Sequence, residues 1–197
     1  MRLSRVGIRS RQVPLLAAML SMAGALLVAT IPAAADSVGE RVYDRETGRI
    51  HWHLTTPVKL ASAEAFRSGR VYLDLFRTER DDQPGRVTYN IQIICLAERW
   101  MIIERGETLE LRVEGSMVPF DGAGSENRRD LSGGTWSRKR GERREVAFYP
   151  VTPDVLRRLA AQGEIAGQLL ADVGTISLRS SQSDFKRVRK WIRKYVK

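Results

Sequence analysis

Two runs decide the fold class: Arg70-Val71-Tyr72-Leu73-Asp74-Leu75-Phe76 and Val87-Thr88-Tyr89-Asn90-Ile91-Gln92-Ile93-Ile94-Cys95-Leu96. Successive side chains of a strand point to opposite faces, so alternation of apolar and polar residues marks a strand with one buried face. In the first run Val71, Leu73 and Leu75 alternate with Tyr72, Asp74 and Phe76. In the second, Val87, Tyr89, Ile91, Ile93 and Cys95 share one face. The opposite face carries Thr88, Asn90 and Gln92 before turning apolar at Ile94 and Leu96.

The same period recurs outward from these runs. Ile50, Trp52 and Leu54 alternate with His51, His53 and Thr55, and Leu109, Leu111 and Val113 oppose Glu110 and Arg112 on a solvated face. Further strands are expected at Glu145–Tyr149, Ile165–Leu170 and Thr175–Arg179. Gln83-Pro84-Gly85 is expected to break the chain before Val87, and Arg105-Gly106 to turn a hairpin between residues 100–104 and 108–114. Seven or eight short strands with mostly neighbouring connections predict a mainly β fold, an antiparallel β-sandwich or a partly open barrel.

Two helices complete this reading. Thr152 suits an N-cap, Pro153 the first helical position and Gly163 a stop, which predicts one short internal helix. At the C-terminus, Phe185, Val188, Ile192, Tyr195 and Val196 recur at helical spacing with Trp191 beside them, and Ser181-Gln182-Ser183-Asp184 offers a capping box. Residues 184–197 therefore read as a cationic amphipathic helix docked on a β-rich domain of residues 36–183. Residues 120–144, rich in Gly, Ser, Asn and Arg, read as a long loop.

The amino end has the form of a cleavable secretory signal. Arg2, Arg5, Arg9 and Arg11 precede an uncharged stretch from Gln12 to Ala35, and Ala33 and Ala35 fit the A-x-A cleavage pattern. An uncleaved anchor is the competing reading, against which Pro32 and the small residues after it speak. The only cysteine, Cys95, lies far from the cleavage region, which argues against a lipoprotein, and no Arg-Arg pair suggests a twin-arginine signal. The expected location is periplasmic or secreted.

Charge is unevenly divided. Residues 36–183 hold 22 basic and 22 acidic residues, whereas residues 184–197 hold seven bases and one acid. Any electrostatic function is therefore expected in the last segment, through Lys186, Arg187, Arg189, Lys190, Arg193, Lys194 and Lys197. An anionic membrane surface, an envelope polymer or a partner protein fits that chemistry. Export argues against nucleic acid.

No P-loop, Rossmann fingerprint or G-x-S-x-G elbow occurs, so no cofactor is expected and no catalytic residue is nominated. His51 and His53 project from one strand face as paired metal ligands can, but no spacing supplies the further ligand a zinc site needs. The plain expectation places them on the polar face of a strand that buries Ile50, Trp52 and Leu54. Cys95 sits among apolar residues and is expected to be a buried core thiol. The leading function is a non-enzymatic binding or structural role in the bacterial cell envelope. The alternative is a periplasmic hydrolase, metal-dependent in one version, using His51 and His53.

Overall fold

The computed structural model describes residues 38–62, 69–98, 100–126 and 143–197. In chain order the elements are β1 (Gly39–Asp44), β2 (Arg49–Leu54), β3 (Val58–Ser62), β4 (Arg70–Arg80), β5 (Gln83–Ala97), β6 (Gly106–Val113), β7 (Ser116–Gly122), β8 (Ser125–Glu126), β9 (Arg143–Val151), α1 (Pro153–Ala160), β10 (Ala166–Ala171), β11 (Gly174–Ser180) and α2 (Gln182–Tyr195). The signal sequence expected at 1–35 and residues 127–142 of the loop expected at 120–144 lie outside the described residues.

The two runs that announce the fold pair with each other. β4 and β5 form one long antiparallel hairpin, in register from Arg70 opposite Leu96 to Glu79 opposite Val87. The Gln83-Pro84-Gly85 signal does not break the chain before the strand. The turn lies at Asp81-Asp82, Arg80 faces Gln83, and the register shift places residues 84–86 in a bulge inside β5. Gly85 takes φ 91° there, a region that favours glycine, and its N–H donates to Glu79 Oε1 at 3.0 Å.

The remaining strands continue this hairpin into a single antiparallel sheet, curled as a half-barrel in the order β7-β6-β10-β11-β3-β4-β5-β9-β8. Of the two architectures expected from sequence, the barrel-like one is correct. Its first and last strands, β7 and β8, are consecutive in the chain and separated only by Ala123 and Gly124, so the connection draws the sheet's two ends together. Tyr149 of β9 shares a 2.9 Å hydrogen bond with Thr108 of β6 across the same seam, and burial pushes the tyrosine hydroxyl up to about 12. A side chain at Gly122 would meet the Tyr149 ring at 2.7 Å, so only glycine lets β7 approach so closely.

The sheet forks at β2 and β3, which lie along the same edge of β4. β2 pairs with the far half of β4, ending at His53 opposite Phe76, and β3 pairs with the near half, starting at Val58 opposite Leu73. Residues 54–57 thus oppose only Asp74 and Leu75. Beyond the fork β2 carries β1, whereas β3 carries β11.

Other boundaries also move. Residues 100–104 form no strand and Arg105-Gly106 is no hairpin turn. Ile102 exchanges hydrogen bonds with Asp172, and Ile103 with Ser125, so the segment ties the turn between β10 and β11 to β8. The hairpin turn is Glu114-Gly115, both at positive φ, joining β6 to β7. The loop expected at 120–144 already contains the end of β7, all of β8 and the start of β9.

The inner face of the half-barrel is lined by Val71, Leu73, Leu75, Ile91, Ile93 and Leu111 among others, and both helices fill it. Thr152 caps α1 by accepting from Val155 N–H, and Leu156 and Leu159 point into the core. Ser181 caps α2, which starts two residues earlier than its amphipathic pattern suggests, and Phe185, Val188, Trp191 and Ile192 are buried in the same core. Each such side chain contributes about 1.5–3 kcal/mol by leaving water.

Two alanine substitutions test this packing. A Cβ at Gly167 would fall 2.1 Å from Glu110 O on β6, whereas one at Gly163 meets nothing within 4 Å. Gly167→Ala is expected to lower stability by about 1–3 kcal/mol or more, and Gly163→Ala to leave it unchanged or raise it by about 0.4–1 kcal/mol. Urea unfolding midpoints check both, and equal effects would show that β10 and β6 are not in this register.

Candidate functional site

The basic residues singled out in sequence divide into two sets on α2. At about 100° per residue, Phe185, Val188, Trp191 and Ile192 occupy one arc, and Lys186, Lys190, Arg193 and Lys194 the opposite one. The first set is buried and the second exposed, with Lys197 exposed just beyond the helix end. Arg187 and Arg189 stand on the borders between the arcs and are half-buried. They turn back onto the domain. Arg187 donates to Thr56 O at 3.1 Å and pairs with Asp184, while Arg189 donates to Gln162 O and lies over the Phe185 ring at 4.9 Å. Asp184, the helix's only acid, is held by Ser181 and Arg187. Five of the seven nominated bases therefore form an exposed stripe, and two serve to dock the helix.

A second polar cluster lies on the outer face of the sheet, where β2, β4 and β5 present His51, His53, Asp74 and Gln92. All four are buried, so the polar face expected for the histidines is a covered one; on the opposite face Leu54 is buried as expected, whereas Ile50 and Trp52 are only half-buried. The reason lies in the neighbours. His53 stacks on Phe76 at 5.5 Å, His51 meets the same ring edge-on, and Phe148 packs against it in turn. Asp74 Oδ1 accepts from Leu54 N–H at 2.9 Å and Leu75 N–H at 2.7 Å, and Oδ2 lies 3.5 Å from His53 Nδ1. That nitrogen also bonds Leu54 O at 2.9 Å, and His51 Nδ1 bonds Thr78 Oγ1 at 2.9 Å.

Asp74 and Gln92 were not nominated from sequence. The signal that could have found Asp74 is its place between Tyr72 and Phe76, since an acid flanked by two aromatics on one strand face belongs to a covered face. Among the described residues no group of three or more His, Cys, Asp or Glu side chains is placed to hold a metal ion. Cys95 is buried, and burial pushes its thiol far above the ordinary value. A cavity of about 350 Å³ at the β7 end is lined by Asn90, Arg105, Asp121, Phe148 and Pro150. Of the basic residues that close the expected loop, Arg143 lies over the exposed Trp100 ring at 4.7 Å.

The two histidines titrate in opposite directions. Burial alone would lower His53, but the hydrogen bond and charge of Asp74 and the Leu54 carbonyl outweigh it and raise it above 6.5. Burial lowers His51 below 6.5, with Arg49 and His53 adding to the effect and Asp44 opposing it. Burial also raises Asp74, against the pull of His53 and the two N–H groups.

The signs follow from proton linkage. The raised His53 contributes stability that is complete below 6.5 and lost as pH rises through its folded value; the lowered His51 costs stability as pH falls below 6.5. Stability, followed by unfolding between about pH 5 and 8, is expected to peak near the middle, with His51→Gln flattening the acid limb and His53→Gln altering the alkaline limb, to which the raised Asp74 carboxyl also contributes. Profiles of unchanged shape in both variants would refute the assignment.

No protein-family model, curated protein or solved structure matches the chain.

Proposed function

We propose that this is an exported, non-enzymatic binding or structural protein of the bacterial cell envelope, acting through the exposed cationic stripe of α2 on an anionic surface or partner. One observation carries the reading: Lys186, Lys190, Arg193 and Lys194 stand exposed along one arc of a helix whose opposite arc is buried, with Lys197 exposed just beyond the helix end. Residues 36–183 are formally neutral, so the stripe dominates the molecule's charge. Export rests on the Arg-rich start, the uncharged stretch to Ala35 and the A-x-A pattern. Among the described residues no helix is long and apolar enough to cross a membrane.

The buried state of His51 and His53, each with Nδ1 already bonded, favours this reading over a hydrolase built on them. His51 is 4% exposed and His53 1%, which leaves almost none of either ring for a surface-bound substrate to touch.

Expression in a bacterium tests both halves. The protein is expected outside the cytoplasm with an intact mass that starts at Asp36, and to sediment with the envelope fraction until salt releases it. Lys186→Glu, Lys190→Glu and Arg193→Glu together are expected to leave it in the soluble fraction. Each base near an anionic surface contributes about 1 kcal/mol, and exposed charges are screened over about 10 Å at 0.1 M salt. Envelope retention unaffected by salt or by the triple substitution would defeat the proposal.

A further inference from the structure

Resting on that reading, we infer that the anionic ligand is the surface of a phospholipid bilayer, bound peripherally, without insertion and without selection among anionic headgroups. Three features of α2 lead there. An amphipathic helix that enters a bilayer does so with its apolar face. Here that face is committed: Phe185, Val188, Trp191 and Ile192 are buried in the same core as Leu73, Ile91 and Leu156. No apolar arc of α2 remains to enter the acyl region while the domain stays folded.

The second feature is the kind of base left exposed. Arginine's planar fork holds a phosphate or carboxylate in two parallel hydrogen bonds, whereas lysine is a hydrated point charge with little geometric demand. Both half-buried arginines of the helix, Arg187 and Arg189, spend their guanidinium groups on the protein, on Thr56 O and Gln162 O. The exposed stripe is Lys186, Lys190, Lys194 and Lys197 with Arg193 alone among them. Such a set attracts negative charge without reading its shape.

The third feature is curvature. From Lys186 to Lys194 the stripe runs about 12 Å along the helix at 1.5 Å per residue, on the outward arc of the helix opposite the buried one, which is a ridge by its own cylindrical shape. A single flexible polyanion is held best between walls that surround it, whereas a ridge touches a flat charged plane along its whole length. The bilayer surface is that plane.

Residues 36–197 contain every described strand and helix and the core they build, so this form serves for the test. Co-sedimentation with phosphatidylglycerol-containing vesicles is expected to weaken steadily with salt, and to fall at least about 100-fold in the Lys186→Glu, Lys190→Glu, Arg193→Glu variant. Phosphatidylserine at equal charge should bind equally well, brominated acyl chains should leave tryptophan emission unquenched, and linear polyphosphate should compete only weakly. Quenching by brominated chains would overturn the non-inserted geometry. Strong preference for one headgroup, or tight polyphosphate binding without vesicle binding, would overturn the ligand class while leaving a stripe-dependent function intact. If neither vesicles nor envelope fractions bind in a stripe-dependent way, the function proposed above falls with this one. A circular-dichroism melt of the triple variant separates lost charge from lost fold, since the three positions are exposed and the melt should be unchanged.

Discussion

Asp74 is the residue on which the sheet depends. Where β2 gives way to β3, four residues face two, and the ladder of β4 would leave backbone groups without partners in a buried place. A buried N–H with no acceptor costs about 1–3 kcal/mol, and a fork cannot supply acceptors from strands. The Asp74 carboxylate supplies them, accepting from Leu54 and Leu75 with His53 alongside. A buried carboxylate is itself costly, which is why it comes with two N–H donors and an imidazole. The fork then lets one edge of β4 carry two branches, β2 with β1 on one half and β3 with β11 on the other.

The same fork is held from a second element. Thr56 O, in the connection between β2 and β3, accepts from Arg187 of α2, and Tyr89 of β5 donates to Tyr195 O at the helix end. Tyr195 also lies against Gly39 of β1, where a Cβ would come within 2.5 Å of the ring. The terminal helix is thus fixed by its aromatic face and at both ends. A helix held this rigidly presents its outer residues in a constant geometry, and the ordering of that face is supplied by folding rather than by binding.

Local pattern carried the strands and the helices because period 2 and period 3.6 are properties of neighbouring residues. Val71, Leu73 and Leu75 could be read as one face without knowing what they touch. Closure of the sheet could not, because the Tyr149–Thr108 bond and the approach of Gly122 join residues far apart in the chain. The covering of the histidines was illegible for a different reason. His51 and His53 read as the polar side of a strand, but polarity reports burial only when no partner is at hand, and Asp74, Thr78 and Phe76 are partners brought in by the β4 register. Likewise the seven bases of the last segment form one class by composition. Only the docked helix separates the five that face outward from Arg187 and Arg189, which face the fold.

That separation sets what selection on this surface can change independently. Replacing Arg187 or Arg189 alters both charge and docking, because each bonds a backbone carbonyl of another element. Lys186 and Arg193, lying opposite the buried arc, can change sign with little effect on the core, since exposed side chains of a helix contribute only tenths of a kcal/mol to its stability. The strength of surface attraction is therefore adjustable one residue at a time along the outer arc, while the orientation in which the domain meets that surface is fixed by the buried one.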